Sequence, residues 1–229
     1  MPTTVITGAN RGIGLELVRQ CLNRGDFVIA GCRNPSEARD LQDLNPQKVL
    51  PVDVSDEASV ERFEKALDIP IDTLINNAGS SSSNLGIPKG SAGVLEAPMD
   101  KTLDLIRVNG HSAALVTRSL LPHLSPGARV VNVSSQIGSM IVGANFDDLP
   151  YAASKAVMNI ITVQLATQLR AKEIVVCAFH PGWVRTDMGG KSADISVEES
   201  VTGMLKSIEQ LTAENTGSFL RWDGSTHPW

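Results

Sequence analysis

The 229-residue chain is poor in aromatic side chains, with Trp 3, Tyr 1 and Phe 5. So few flat rings leave little for nucleic-acid bases to stack on. Positive charge is also short: Lys+Arg 20 against Asp+Glu 25 leaves a net charge of −5. A chain without a basic excess lacks the electrostatic footprint that binds phosphate backbones. No nucleic-acid partner is expected. Apolar runs of roughly 18 residues, the length that spans a bilayer, are missing, so no membrane span is expected. Met1-Pro2-Thr3-Thr4 carries no basic residue, and the apolar run after it is only Val5-Ile6. No secretory leader is expected from such a start. Three cysteines, Cys21, Cys32 and Cys177, are odd in number and far apart. They suit a reducing compartment, where each acts as a small hydrophobe, and a cytoplasmic location is expected. His111, His123, His180 and His227 share no ligand spacing with one another or with the cysteines, so no metal site is expected.

What the chain does contain is alternation. Short β-branched runs at Thr4–Thr7, Phe27–Ala30, Val49–Val54, Thr73–Ile75, Arg129–Val133, Ile174–Phe179 and Ser218–Leu220 predict strands. Between them lie segments of helical period at Ile13–Arg24, Ser36–Leu44, Asp56–Leu67, Met99–Leu121, Pro150–Leu169 and Val197–Leu211. Ser55 stands where an N-cap for Asp56–Leu67 would be, and Gly25 is placed to stop the first helix. Strands apolar on both faces and separated by helices predict a single α/β domain. Its architecture is a Rossmann fold: a doubly wound parallel sheet of about seven strands with helices on both faces. Residues 79–98 and 136–149 have no periodicity and follow the fourth and fifth strands. Loops in those positions border the ligand crevice of a doubly wound sheet.

The first strand runs into Thr7-Gly8-Ala9-Asn10-Arg11-Gly12-Ile13-Gly14 and then a helix. This is the physics of a dinucleotide turn. Gly8 permits the sharp turn, Gly12 lets a pyrophosphate approach the backbone, and Gly14 packs helix on strand. Free amides at the helix start face the phosphates. The turn residues Gly8, Asn10, Arg11, Gly12, Ile13 and Gly14 are therefore cofactor-binding candidates, although the spacing is GxxxGxG and not GxGxxG. At the end of the second strand an acid would hold the ribose 2′-hydroxyl of NAD, whereas a base accommodates the 2′-phosphate of NADP. Here the strand ends Gly31-Cys32-Arg33, nineteen residues beyond Gly14, with no acid. Arg33, with Arg11 as a second phosphate partner, points to NADP(H) over NAD(H).

The only tyrosine, Tyr151, opens Tyr151-Ala152-Ala153-Ser154-Lys155. At i, i+4 the phenol and the ammonium lie one turn apart on one helix face. A phenol has an ordinary pKa of about 10, and a neighbouring cation favours its phenolate, so a lowered Tyr151 pKa is expected. Ser134 and Ser135 end the fifth strand at the edge where ligands bind, and residues 136–149 bring the chain back to Tyr151.

These motifs occur in a fixed order: TGxxxGxG, Asn76-Asn77-Ala78-Gly79, Asn109, the serine pair, YxxxK, and Pro181-Gly182-Trp183-Val184-Arg185-Thr186. In that order they resemble the short-chain dehydrogenase/reductases over essentially the whole chain. TGANRGIG, FHPGWVRTDMGG and the ending from Gly217 to Gly224 look like the C-factor and sniffer-type carbonyl reductase branch. The resemblance implies that Tyr151 is the general acid and base, and that Lys155 tunes it and bonds the nicotinamide ribose. It implies that Ser135, ahead of Ser134, positions the carbonyl and that Asn109 holds a relay water. Asp53 and Val54 would then meet the adenine, while Asn77, Ala78 and Gly79 line the cofactor. Pro181 and Val184 would meet its nicotinamide end, and Thr186 its amide or a phosphate. A homodimer or homotetramer is also implied, pairing the helices Met99–Leu121 and Pro150–Leu169. Two departures stand out: a 16-residue step from Ser135 to Tyr151, and a short segment between Thr186 and Val197. Asp147-Asp148 reads as a solvated loop pair. The function expected is NADP-dependent reduction of a ketone or aldehyde. The alternative is a regulatory dinucleotide-binding protein with little turnover.

Overall fold

Seven parallel strands, in the order β3-β2-β1-β4-β5-β6-β7, form the sheet of the described residues. They are β1 Thr3–Thr7, β2 Phe27–Cys32, β3 Lys48–Pro51, β4 Ile71–Asn76, β5 Leu124–Val133, β6 Val175–His180 and β7 Phe219–Arg221. The structure is a computed structural model and describes residues 1–88 and 92–229. Part of the expected loop 79–98, residues 89–91, lies outside the described residues.

Alternation along each strand builds two cores. Ile6, Val28, Ala30, Val131, Cys177 and Phe179 face one layer, which α1 (Gly12–Asn23) and α7 (Val197–Glu209) cover. Val5, Ile29, Leu74, Val130 and Val176 face the other, which α3 (Glu57–Lys65), α5 (Ser112–Leu120) and α6 (Leu149–Leu169) cover. A period of two along a doubly covered strand sends alternate side chains to opposite layers, so both faces must be apolar. The strand order reverses between β1, which runs on to β2, and β4. The crevice of a doubly wound sheet opens beyond the carboxyl ends of the strands at that point. Both the glycine turn and the loop after β4 start there.

Several boundaries differ from the sequence reading. Where Ser36–Leu44 was expected to be one helix, the chain forms a 3₁₀ turn at Pro35–Glu37 and a short α2, Arg39–Asp43. The third strand stops at Pro51, not at Val54, because the Asp53 carboxylate turns back to the Ser55 amide at 2.9 Å and its hydroxyl at 2.6 Å. That contact also corrects the expected cap. With Ser55 drawn to Asp53, Asp56 caps α3 by accepting from Ala58 N–H at 3.2 Å. The expected helix Met99–Leu121 is a rod in three parts: α4 (Met99–Leu105), a π-helical stretch Ile106–His111, and α5. The widened turn brings Gly110 against α6. A side chain there would place its Cβ 2.8 Å from the Ser154 carbonyl oxygen. Among the described residues no helix is long and apolar enough to cross a membrane.

Candidate active site

The glycine turn is shaped by close approach. Gly8 sits at φ +65°, and a Cβ there would lie 2.7 Å from Ala78 Cα. A Cβ on Gly14 would lie 2.1 Å from the Gly8 carbonyl oxygen, so no other residue lets α1 pack this tightly on β1. The first helical bond of α1 runs from Leu15 N–H to Arg11 C=O at 3.2 Å, and no side chain caps the helix. The amides of Gly12, Ile13 and Gly14 therefore open outward with the positive end of the helix dipole behind them. Asn10 and Arg11 are exposed beside them. This cradle of backbone donors fits the diphosphate of a dinucleotide.

Asn77, expected to line the cofactor, has its side-chain amide bonded to the glycine turn. Its Nδ2 donates to the carbonyls of Thr7 at 3.0 Å and Gly8 at 3.1 Å. Thr7 in turn accepts from the Asn77 and Ala78 amides through its hydroxyl, at 3.1 Å each. Asn77 thus staples the loop after β4 to the glycine turn. Gly79 follows it at the surface of the cleft, with an added Cβ 3.2 Å from Asn109 Oδ1.

Arg33 is exposed at the end of β2, and its charge helps to hold the Asp53 carboxyl below the usual carboxylate range. The burial that opposes this is outweighed by the two Ser55 hydrogen bonds. Val54 is buried behind them. On the opposite rim, after β6, Val184 is buried and bridges Ile195, while Pro181 C=O accepts from the Ser200 hydroxyl at 2.6 Å. Thr186 accepts from Gly189 N–H at 3.0 Å, which closes a compact turn. From that turn Asp187 reaches back to Arg11 at 3.7 Å across the glycine turn.

Tyr151, Lys155 and Ser135 come together. Lys155 is 4% exposed, and its ammonium donates to Val133 C=O at 2.8 Å. It stands 5.8 Å from the centre of the Tyr151 ring. Of the two serines, Ser134 turns into the core and donates to Asn159 Oδ1 at 2.6 Å. Ser135 caps the turn at Gln136–Gly138 by accepting from Ile137 N–H at 3.4 Å, and its hydroxyl is close enough to the phenol to favour the phenolate. Met188 Sδ lies 4.0 Å from the phenolic oxygen.

One expectation needs correction. Burial pushes the Tyr151 phenol up to about 12, and the Asp148 charge adds to this; the Ser135 hydrogen bond only partly opposes it. The lowered phenol read from the Tyr–Lys spacing is therefore not produced by the protein's own groups. Burial also pushes Lys155 down to about 8, because the same dry environment that disfavours a phenolate disfavours an ammonium. Asn109, expected to hold a water, has its side chain committed. Its Oδ1 accepts from Ser80 N–H at 2.7 Å, and its Nδ2 donates to Ser80 C=O at 2.9 Å and Ser154 Oγ at 3.0 Å. Ser154 passes the tie on to Tyr151 C=O at 2.7 Å.

Four residues of this site were not singled out from sequence as functional: Ser80, Ser82, Ser154 and Asp148. Asp148 had a readable signal, since Asp three residues ahead of Tyr151 and two before Pro150 is helix-start chemistry. The serines had none, because each acts through a partner distant in the chain. His180 is buried and pushed down to about 3 by burial first and His227 second. Among the described residues no group of three His, Cys, Asp or Glu could hold a metal.

A doubly wound sheet with this turn and this Ser–Tyr–Lys cluster at its carboxyl edge defines a dinucleotide-linked oxidoreductase. A family model described as short chain dehydrogenase matches residues 2–195, and the chain belongs to that family. It is 38% identical over 162 residues to the C-signal of Myxococcus xanthus, covering 70% of this chain and 93% of that protein. Its fold matches the NADPH-bound carbonyl reductase from chicken fatty liver with TM-score 0.90 and 31% identity, covering 100% of this chain and 99% of that one. It matches the carbonyl reductase Sniffer of D. melanogaster with TM-score 0.90 and 29% identity, covering 100% of both.

The lowered Lys155 pKa has a consequence for stability. The folded state loses this proton near pH 8, whereas the unfolded chain keeps it to about 10.5. Between those values the unfolded state binds more protons, so the Lys155 contribution to stability rises with pH. Measured by urea denaturation, the stability of wild type relative to Lys155→Met should rise by roughly 3 kcal/mol from pH 7 to pH 10.5. A gap that stays constant over that range would show that the ammonium is not desolvated.

Proposed function

We propose that this protein is an NADP(H)-dependent carbonyl reductase that converts a ketone or aldehyde to an alcohol. The observation that carries the proposal is the convergence of the Tyr151 phenol, the Ser135 hydroxyl and the Lys155 ammonium at the carboxyl edge of β5. Bound NADPH supplies the hydride. Ser135 holds the carbonyl oxygen next to the phenol, and Tyr151 gives that oxygen its proton as the alcohol forms. In oxidation the same phenol takes the proton back. Lys155 supplies positive charge on the helix turn below Tyr151, where it favours transfer of the phenolic proton. Asn109 keeps the loop after β4 and α6 in register through Ser80 and Ser154. The substrate loops are 80–98, 136–149 and 186–197. Exposed Met140, Ile141, Phe146, Trp183 and Met188 offer apolar contact to the body of the substrate. The outward amides of the glycine turn hold the diphosphate, with Asp53 and Val54 beside the adenine and Val184 and Thr186 beside the nicotinamide.

A second reading, a signalling protein with little turnover, rests on the name and 38% identity of C-signal. Oxidation of NADPH with a panel of aldehydes, ketones and quinones separates the two. Tyr151→Phe should abolish that oxidation while calorimetry shows NADPH binding largely intact. Full turnover by Tyr151→Phe would refute the acid–base role, and no turnover by the wild type across the panel would favour signalling.

Preference for NADP over NAD rests on Arg33, with the Arg11 guanidinium across the groove. A charge-assisted contact to the 2′-phosphate contributes about 1.5–3 kcal/mol, or roughly ten- to a hundredfold in affinity. Arg33→Asp should erode or reverse the ratio of the two dissociation constants. Equal constants in the wild type would remove the basis of this assignment.

The assembly proposed is a homodimer or homotetramer built on α4, α5 and α6. Leu103 and Ile160 are more than half exposed on that layer, and a two-fold axis would bury them against their own copies. Light scattering at micromolar concentration should give a multiple of 24.4 kDa. A monomeric mass would leave those side chains as ordinary surface.

A further inference from the structure

One acidic side chain stands at the head of the catalytic helix without a place in the reaction as described so far. Asp148 is half-buried at the N-cap of α6, and its carboxylate accepts the backbone N–H of Tyr151 itself at 3.2 Å. The same oxygen, Oδ1, accepts from the hydroxyl of Ser82 at 2.5 Å. Ser82 is 4% exposed in the loop after β4, so this hydrogen bond crosses the cleft from one wall to the other. The main chain reinforces the junction. Asp148 C=O accepts from Ala152 N–H at 2.9 Å, and Leu149 N–H donates to Ala92 C=O at 2.8 Å. The first turn of α6 is thereby tied to both described parts of the loop after β4.

We propose that Asp148 is a positioning residue: through the Tyr151 amide and the Ser82 hydroxyl it seats the first turn of α6 against the loop after β4, and its charge there adds to burial in disfavouring the phenolate during carbonyl reduction. This rests on the reductase reading above. An ordinary capping residue needs only an acceptor oxygen, and Asn or Ser would serve as well as Asp. A carboxylate adds negative charge beside the phenol, which disfavours the phenolate. The groups that face the phenol are Lys155 from its own helix, Ser135 from the turn after β5, and Met188 from the turn after β6. Among the described residues Asp148 is the acid whose charge reaches it, and its effect adds to that of burial. Asp148 therefore acts in the same direction as burial and against the Ser135 hydroxyl. It holds the proton on the phenol until a carbonyl oxygen is there to receive it.

Asp148→Asn keeps an acceptor for the Tyr151 amide and removes the charge. Ser82→Ala removes the tie across the cleft and keeps the charge. Because Tyr151 is the only tyrosine, its titration can be followed by ultraviolet absorbance, with circular dichroism recorded alongside to mark unfolding. With oxidised NADP bound, Asp148→Asn should move the phenol titration to lower pH by about half a unit or more, and with NADPH as reductant the alkaline limb of carbonyl reduction should move the same way. Ser82→Ala should raise KM for the carbonyl and leave the titration in place. An Asp148→Asn titration superimposable on wild type would overturn the proposal. So would a Ser82→Ala shift as large as that of Asp148→Asn, because position and not charge would then set the phenol. A titration shift in Asp148→Asn when neither protein reduces any carbonyl would support the electrostatic role and sink the reductase reading.

Discussion

The register of α6 on β5 is the constraint on which the site depends, and hydrogen bonds set it. Asn132 Nδ2 donates to Thr162 Oγ1 at 2.9 Å, Lys155 Nζ to Val133 C=O at 2.8 Å, and Ser134 Oγ to Asn159 Oδ1 at 2.6 Å. Lys155, Asn159 and Thr162 fall at i, i+4 and i+7, one stripe of the helix. That stripe would be apolar in an ordinary covering helix. Apolar contacts tolerate sliding, whereas paired buried polar groups do not, since a slip leaves each of them without a partner. Tyr151 lies one turn above Lys155 on the same stripe, so locking the stripe to the end of β5 places the phenol. A catalytic group must be held to a fraction of an ångström, and directional bonds to a strand supply that better than a loop.

The polar seam continues sideways. Asn76 Nδ2 donates to Asn132 Oδ1 at 2.9 Å and to Thr117 Oγ1 at 3.2 Å, which links β4, β5 and α5. Asn109 and Ser154 connect the π-helical stretch and the loop after β4 to α6. The floor of the cleft is therefore one hydrogen-bonded unit, while the apolar rim is carried by irregular segments. That division matches a site where proton transfer demands fixed geometry and the body of the substrate demands adaptable surface.

The sheet was legible because alternation and period survive any detail of packing. All seven strands and their parallel pairing follow from runs such as Thr4–Thr7 and Ile174–Phe179, although β5 begins five residues before the expected Arg129 and β3 ends three before the expected Val54. The glycine turn and the Tyr151–Lys155 pair were legible because their chemistry is local. What failed was set by contacts that periodicity does not report. The π-helical stretch exists where α6 packs against Gly110, and no periodicity in Met99–Leu121 carries that information. Ser55 lost the capping role to Asp56 because the Asp53 carboxylate competes for its hydroxyl. Asp148 looked like solvated loop because its partner, Ser82, is distant in sequence. The raised phenol followed from burial, which helical spacing does not report.

Burial acts on the Tyr151–Lys155 pair in a direction that looks unhelpful at first. It pushes the phenol up to about 12 and the ammonium down to about 8, so each group is driven toward its neutral form. At neutral pH the phenol is nonetheless protonated and the lysine charged, which is the state that reduction requires. The ammonium is held in that state at a cost in folding free energy, offset by its bond to Val133 and by the seam around it. On the reductase reading, the proton leaves when an oxygen gaining negative charge is held beside the phenol. Burial and the Asp148 charge thus act on the phenol from one side and the Ser135 hydroxyl from the other. On that reading the balance among them, and not the helical spacing from Lys155 alone, sets how readily Tyr151 would give up its proton.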